Sequence, residues 1–317
     1  MEFKILTIDE IRLYASRTNQ IAYADSFAEF VKRHHGLDRQ MVGMINTGTT
    51  VAVVPVFIGR RNGQLHAEIP ALMYYVDPLI MDHSFDILSS AVGRALRKFL
   101  GADTLIFNIL SQTAVESAQF TAYILDTQGY GADDILTRLI DKKARQIKIA
   151  ARRGVLSRRL APGEYRQAYG LFGLQHSERG WVSKSRSYFQ NLETVFGENL
   201  VMFGAFVDGV LAAVNICIVY KDYLWMVHNI SLQEYRDHHV NDAVYWEMIR
   251  GGRGQGIRFF DYGGSLSADY GGKRFKESFG GRAHSLVRRS YYKNPFSRLI
   301  YLWDKKLRHL RQRIKKS

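Results

Sequence analysis

The sequence of 317 residues has one cysteine, five prolines and no long uncharged apolar run. Cys217 alone cannot form an intrachain disulfide, and its place in the apolar run LAAVNICIVY predicts a buried strand thiol in a reducing, cytoplasmic setting. A membrane-spanning helix needs about 20 apolar residues, and a secretion signal needs a basic leader before an apolar core. The chain shows neither pattern, so we predict a protein that neither crosses a membrane nor is secreted.

The sequence also lacks recognisable patterns of metal ligands and of covalent nucleophiles. The pairs His34–His35 and His238–His239 have no Cys, His or acidic companions at the spacing that metal ligands require. No Ser-His-Asp constellation or other activated nucleophile stands out. We therefore predict no metal, no resident cofactor and no covalent intermediate.

Positive charge, in contrast, is abundant and concentrated. The net charge is +14, and residues 142–159 hold eight Lys and Arg without an acid, while residues 282–317 hold twelve against one acid. Such patches indicate an anionic partner, such as nucleic acid, a nucleotide-sugar or lipid headgroups. The alternative is a solvated charged face that serves only solubility.

One pattern of elements occurs twice along the chain. Val42–Ile69 and Val201–Ile230 each contain two β-rich runs around a turn, at Gly48-Thr49 and at Asp208-Gly209. Helix-forming sequence precedes each hairpin, and a helix and an apolar strand follow it. This order predicts an α+β protein made of two domains related by duplication. We place them, with a basic amphipathic C-terminal helix, at residues 1–140, 141–290 and 291–317.

The order of elements resembles the acetyltransferase (GNAT) fold, and four stretches carry a closer likeness. They are Arg145–Val155 (RQIKIAARRGV), Phe206–Tyr220, Val240–Ile249, and FDYGGS followed by RFKESFGG. Together they resemble the FemABX aminoacyl transferases and the wider group of FemAB-like acyltransferases. The resemblance covers the second domain almost throughout and the first only in outline.

This resemblance implies a degenerate first GNAT-like domain, a catalytic second one, and an amine that attacks an activated carbonyl directly to form an amide. In the peptidoglycan branch of the family, the donor is an aminoacyl-tRNA ester and the acceptor is an amine of a cell-wall precursor. Other branches belong to polysaccharide or surface-polymer assembly, where acyl-CoA is a candidate donor.

The loop that holds CoA pyrophosphate in this fold has no counterpart in the sequence. That loop is Arg/Gln-x-x-Gly-x-Gly/Ala at a helix N-terminus, where backbone N–H groups face the anion. The second domain offers YRDHHVNDAVYW there, with Arg236 but no glycine, and the first domain offers none either. Gly251–Gly256 (GGRGQG) ends a helix instead of starting one, so we interpret it as a C-cap and turn. This favours aminoacyl-tRNA, or an unconventional mode of CoA binding.

The glycine-rich stretch Phe260–Gly281 is the predicted site. Lys276 matches the family's active-site lysine, in what we expect to be an exposed turn, and would face a phosphate of the donor or acceptor or stabilise an oxyanion. Asp261 would take the proton of the attacking amine; a turn carboxylate near Arg258 is the alternative. Arg274 would bind phosphate, and Phe275 would pack beneath it or stack on a base.

Further residues are predicted to bind substrate around the same cleft, although structural roles are equally open for them. The basic helix between the domains would form one wall of an anion-binding cleft. Asn241 and Asp242 begin a helix, so capping is their first explanation. The predicted substrate-binding residues outside the glycine-rich turn are Tyr262, His228, Asn229, Arg236, Arg145, Lys148 and Arg152.

Three functions are therefore weighed. The preferred one is an aminoacyl-tRNA-dependent transferase that acts on a nucleotide- or lipid-linked precursor of the cell wall or a surface polysaccharide. The second is an acyl-CoA-dependent N-acyltransferase that acts on an amino sugar. The third is a non-catalytic nucleic-acid-binding protein on the same fold. The basic C-terminal helix would dock at its start and contact an anionic membrane at its end.

Overall fold

The computed structural model describes residues 1–68, 79–82, 85–111, 120–131, 134–139, 141–181, 183–266 and 268–314. The chain divides into two compact units. The first contains Met1–Phe120 and Ser285–Ser317, and the second contains Thr121–His284. The predicted division at residues 140 and 290 differs in two places, because 121–140 belong to the second unit and 285–290 to the first.

The elements of the described residues follow in chain order. The strands are β1 (Glu2–Ile5), β2 (Asp38–Asn46), β3 (Thr49–Arg61), β4 (Gln64–Glu68), β5 (Leu79–Ile80), β6 (Thr104–Ser111), β7 (Phe120–Asp126), β8 (Leu156–Arg159), β9 (Leu200–Val207), β10 (Val210–Tyr220), β11 (Tyr223–Ser231), β12 (Phe259–Leu266) and β13 (Arg282–Tyr292). The helices are α1 (Ile8–Ser16), α2 (Asp25–His35), α3 (Ser90–Phe99), α4 (Asp141–Arg152), α5 (Tyr165–Glu178), α6 (Arg186–Phe196), α7 (Val240–Gly254), α8 (Tyr270–Ser278) and α9 (Pro295–Ile314).

The two units have the same strand order. It is β1-β2-β3-β4-β6-β13 in the first unit and β8-β9-β10-β11-β12-β7 in the second. In both units the two strands of the central hairpin, β2–β3 and β9–β10, pair antiparallel. The fifth strand in each order pairs parallel with the fourth, β6 with β4 and β12 with β11. Strands β3 and β10 thus occupy equivalent places, and the predicted α+β fold with two GNAT-like domains is confirmed.

The central hairpin of each unit turns on two residues with positive φ. Thr47 and Gly48 have φ values of 47° and 78°, and Asp208 and Gly209 have φ values of 49° and 79°. Positive φ at both central positions is the geometry of a type I′ turn, whose twist matches that of the flanking strands. The second turn lies where we predict it, and the first lies one residue earlier than Gly48-Thr49.

The core of the second unit lies around β9, β10 and α7. Cys217 on β10 is completely buried among apolar side chains, as predicted, and burial raises the pKa of its thiol. Helix α4 packs through Ala150, which is also completely buried, and Gly154 with φ 75° follows the end of the helix. Within the described ranges, no helix is long and apolar enough to cross a membrane.

Candidate active site

The second unit contains a point at which two parallel strands part. The ladder between β11 and β12 joins three residue pairs and ends at Trp225 and Asp261. Gly263 follows with φ 72°, a conformation that glycine adopts at low cost. In open α/β sheets, ligands bind beyond the carboxyl ends of parallel strands. Beyond the last pair, β11 continues through His228 and Asn229, and β12 continues through Tyr262.

Lys276 lies at this parting point, but in a helix. The prediction of a turn is wrong, because Asp269 accepts a hydrogen bond from the Gly272 N–H and caps α8 over Tyr270–Ser278. The Lys276 Nζ donates to the carbonyls of Gly263 and Gly264, both at 3.1 Å.

The lysine is therefore partly buried, not exposed as we expected. Burial lowers the pKa of Lys276 to about 8, and the nearby carboxylates of Asp261 and Asp269 partly oppose that shift. The ammonium thus lies against the two glycines that lead β12 away from its neighbour.

Arg274 and Phe275, the two residues before Lys276, have different surroundings. Arg274 is exposed, and the ring of Phe275 lies 5.0 Å from the ring of Tyr245 and 5.1 Å from that of Phe279. The Nζ of Lys143 lies 4.3 Å from the Phe275 centroid. Phe275 therefore packs against Tyr245 and Phe279, and both roles predicted for it at the site stay predictions.

Asp261 is buried, with 2% of its surface exposed. Its Oδ2 accepts a hydrogen bond from the Tyr223 hydroxyl at 2.7 Å, and its Oδ1 accepts one from the Gly263 N–H at 2.8 Å. Arg258 pairs with Asp126 instead, at 2.8 Å. The carboxylate therefore holds the turn of β12 in place, and its role as a base stays a prediction. Tyr262 is buried beside it and donates to the Phe279 carbonyl.

His228 belongs to an aromatic cluster that the sequence did not reveal. Its Nε2 lies 2.8 Å from the Tyr188 hydroxyl, and the Phe172 ring meets it edge-on at 4.9 Å. Burial, with the charges of Lys184 and His176, lowers the pKa of His228 to about 3, so the imidazole is neutral at physiological pH. His176 comes from α5, Tyr188 from α6 and Lys184 from the segment between them. In the sequence, the aromatic residues of these two helices indicate only a core.

Asn229 is fixed by a chain of side-chain hydrogen bonds. Its Nδ2 donates to Asn215 Oδ1 at 2.8 Å and to Asn241 Oδ1 at 3.2 Å, and the Asn241 Nδ2 donates to Ser231 Oγ at 3.0 Å. These bonds connect β10, β11 and α7. Asn241 therefore links the helix to the sheet, in addition to standing near its N-terminus.

The N-terminus of α7, where a GNAT enzyme would hold pyrophosphate, receives a carboxylate of the protein itself. Asp242 lies in the first turn with 8% of its side chain exposed, and its Oδ1 is 2.7 Å from Lys143 Nζ. His239 Nδ1 lies 3.3 Å from its Oδ2. A negative group is stabilised at a helix N-terminus, so Asp242 occupies the electrostatic position that a bound phosphate would take.

The predicted cationic residues lie on the surface of the second unit. Arg145, Lys148 and Arg152 are exposed on α4, and their spacing of three and four residues puts them on one helix face. Arg236 is exposed in the short turn Gln233–His238 before α7. In the part of the chain that the structure describes, no group of three or more His, Cys, Asp or Glu could hold a metal ion.

Comparison with known proteins agrees with this geometry. Residues 138–277 match the acetyltransferase (GNAT) domain family. The crystal structure of FemX matches with a TM-score of 0.70 and 14% identity, over 95% of this chain and 100% of that one. The C-terminal domain of a putative lysylphosphatidylglycerol synthetase from Agrobacterium fabrum matches with a TM-score of 0.54 and 13% identity, over 95% and 97%. A tandem GNAT protein from the clavulanic acid biosynthesis pathway gives 0.54 and 13%, over 93% and 99%.

No curated protein matches the chain by sequence. The fold and the matched domain define an acyltransferase built from two tandem GNAT-fold units. Within that class, the protein has the FemX-like fold, which agrees with its resemblance to the FemABX-like acyltransferases.

Proposed function

We propose that the protein transfers an aminoacyl group from aminoacyl-tRNA to an amine of a cell-wall or surface-polysaccharide precursor. The observation that carries the choice of donor is the buried Asp242 at the N-terminus of α7, paired with Lys143. An acyl-CoA donor uses that helix end for its pyrophosphate, which here would meet a carboxylate. The ester of an aminoacyl-tRNA has no pyrophosphate and does not need this helix end.

Lys276 would act at the reacting carbonyl. The acceptor amine attacks the ester carbon, a C–N bond forms, and the carbonyl oxygen becomes an oxyanion next to the ammonium. The ester C–O bond then breaks and the ribose oxygen leaves. The proton that the amine loses is transferred to the ribose oxygen. Lys276 is mostly protonated at pH 7, because its pKa is about 8. We propose that Asp261 acts mainly by keeping Gly263 and this ammonium in place.

The exposed cations of α4 would bind the RNA backbone. Arg145, Lys148 and Arg152 share one helix face, and phosphate contacts of this kind supply affinity without reading sequence. Lys184 is exposed, with its ammonium 5.1 Å from the ring of the buried Tyr188, and would bind anionic groups of the acceptor beside His228. One structural relative is named as a lysylphosphatidylglycerol synthetase, and that name describes an amino acid joined to an acceptor.

The second candidate function is acyl-CoA-dependent N-acylation of an amino sugar. It is favoured by the matched family, whose description is that of acetyltransferases. A non-catalytic nucleic-acid-binding role is supported only by the basic surface. We propose a cytoplasmic location for the preferred function because aminoacyl-tRNA is a cytoplasmic substrate, with the acceptor linked either to a nucleotide or to a membrane lipid.

A donor screen tests this proposal. Charged tRNA and acyl-CoA thioesters are each offered with nucleotide-linked and lipid-linked amino acceptors, and amide formation is followed by mass spectrometry. We expect product from charged tRNA, and about a hundredfold slower formation of it by the Lys276→Met variant. Product from acyl-CoA, with inhibition by free CoA, would overturn the choice of donor.

The basic face is tested by changing its charge. Arg145→Ala/Lys148→Ala/Arg152→Ala should raise KM for charged tRNA about tenfold or more, because three phosphate contacts are lost, while kcat stays the same. The matched control Arg12→Ala/Arg94→Ala/Lys98→Ala removes three exposed cations of the first unit and should leave KM unchanged. Equal effects of the two triple variants would mean that only net charge matters.

A further inference from the structure

Helix α9 packs on the first unit through one of its faces. Ser297 and Tyr301 are buried, with 2% and 6% of their surface exposed. The Tyr301 hydroxyl accepts a hydrogen bond from Arg288 at 3.1 Å, and an oxygen of Asp304 accepts one from Asn62 at 3.0 Å. These contacts fix the helix and decide which face it turns to solvent.

The outward face is apolar. Phe296, Leu299 and Trp303 have 66%, 62% and 61% of their surface exposed, and Leu302 has 46%. Positions 296, 299 and 303 are spaced by three and four residues, so they form one stripe along the helix. The buried Tyr301 lies on the opposite side. An exposed stripe of this kind on a fixed helix marks an interaction surface.

The sequence that contains this stripe is strongly basic. Residues 295–317 contain eight Lys and Arg and a single acid, Asp304, which already bonds to Asn62. Arg298 and Lys306 are exposed within the described part of the helix. Tryptophan and large aliphatic side chains beside Lys and Arg are typical of helices that lie in the interface of an anionic bilayer.

We propose that the outward face of α9 binds the surface of a bilayer that contains anionic lipids. A nucleic acid would use the cations but has no need of an apolar stripe, because phosphate contacts supply its affinity. A second copy of the chain would bring two strongly positive helices together, at a cost in repulsion. Of these three occupants, only a bilayer surface uses both the apolar stripe and the charge. The proposal concerns binding alone and is independent of the acyl donor.

Vesicle binding tests this proposal with the full chain. Sedimentation is measured with vesicles of phosphatidylcholine and with vesicles of equal parts phosphatidylcholine and phosphatidylglycerol. We expect binding to the anionic vesicles only, weakened by salt. Leu299→Ser/Trp303→Ser should lower partitioning about tenfold or more, because the buried apolar area is lost. The control Ile8→Ser/Leu13→Ser changes two residues of α1 that are 56% and 50% exposed, and it should bind like the wild type.

Other occupants of the face give different results. A wild-type dimer in solution that becomes monomeric in Leu299→Ser/Trp303→Ser would identify a second copy and overturn the proposal. Loss of tRNA binding in that variant, with no vesicle binding by the wild type at low salt, would identify RNA and overturn it too. Transfer to a nucleotide-linked, water-soluble acceptor should be unchanged in the variant, so failure of this proposal is distinct from failure of the proposed function.

Discussion

The Lys276 ammonium is held between two backbone carbonyls in a partly buried place, and this makes its charge dependent on pH. Burial lowers the pKa of Lys276 to about 8. In the proposed mechanism the protonated form of Lys276 stabilises an oxyanion. That form is fully present well below pH 8 and is lost as the pH rises through about 8. We expect kcat/KM to fall above that pH. In Lys276→Arg, which stays charged, any activity that remains should show no such fall. A wild-type rate that rises through pH 8, with no such rise in Lys276→Arg, would mean that the neutral form of Lys276 is the active one.

Removing this side chain should affect both turnover and folding. Lys276→Met leaves the carbonyls of Gly263 and Gly264 without their side-chain donor, which we expect to cost about 1 kcal/mol of unfolding free energy. Turnover should fall about a hundredfold, as on loss of an oxyanion donor. Arg274→Met is the matched control, since Arg274 is exposed on the same helix and should change neither melting temperature nor kcat. Near-normal turnover of Lys276→Met would mean that the lysine serves the fold alone.

Elements whose signals are local follow from the sequence. Residues within a few positions of one another determine the two hairpins, the apolar face of α2 and the end of α4 at Gly154. The signals are the spacing of apolar residues and the positions of glycines. Helix α8 does not, because Gly271 and Gly272 indicate flexibility while the cap from Asp269 organises them. The aromatic cluster at His228 could not be predicted either, since it depends on how α5 and α6 pack against β11.

The buried ion pair between Lys143 on α4 and Asp242 on α7 can be tested by substitution. Lys143→Met leaves Asp242 buried without its cation, which we expect to cost about 3 kcal/mol of unfolding free energy. Adding Asp242→Asn removes the unpaired charge and should recover most of that loss. Chemical denaturation of the two single variants and the double variant measures the coupling free energy. The control is Lys148→Met, which changes an exposed lysine on α4, the helix that carries Lys143. Additive effects of the two single variants would mean that Lys143 and Asp242 are not coupled.

At the scale of the whole molecule, each unit is completed by a strand that the sequence places with the other half. Strand β7 falls in the predicted domain 1–140, but its Tyr123 and Leu125 lie in the core of the second unit. Most of β13 falls in the predicted domain 141–290, but Ser285–Tyr292 pair with β6 in the first unit. Local sequence patterns identify such strands but not the strands with which they pair. Pairing depends on residues far apart in the sequence, and several apolar strands could pair equally well. This explains why the predicted boundaries at 140 and 290 differ from the compact units.

Truncation at the C-terminus should therefore damage the first unit in two steps. A chain of residues 1–294 keeps β13 and loses only the packing of α9, so we expect it to fold with a lower melting temperature. A chain of residues 1–284 also loses Leu286, Val287 and Tyr291, which are buried, and leaves β6 as an unpaired edge. We expect that chain to aggregate, or to lose the cooperative unfolding of the first unit, in calorimetry and limited proteolysis. Two-step unfolding of residues 1–284, identical to that of residues 1–294, would show that the first unit is stable without β13.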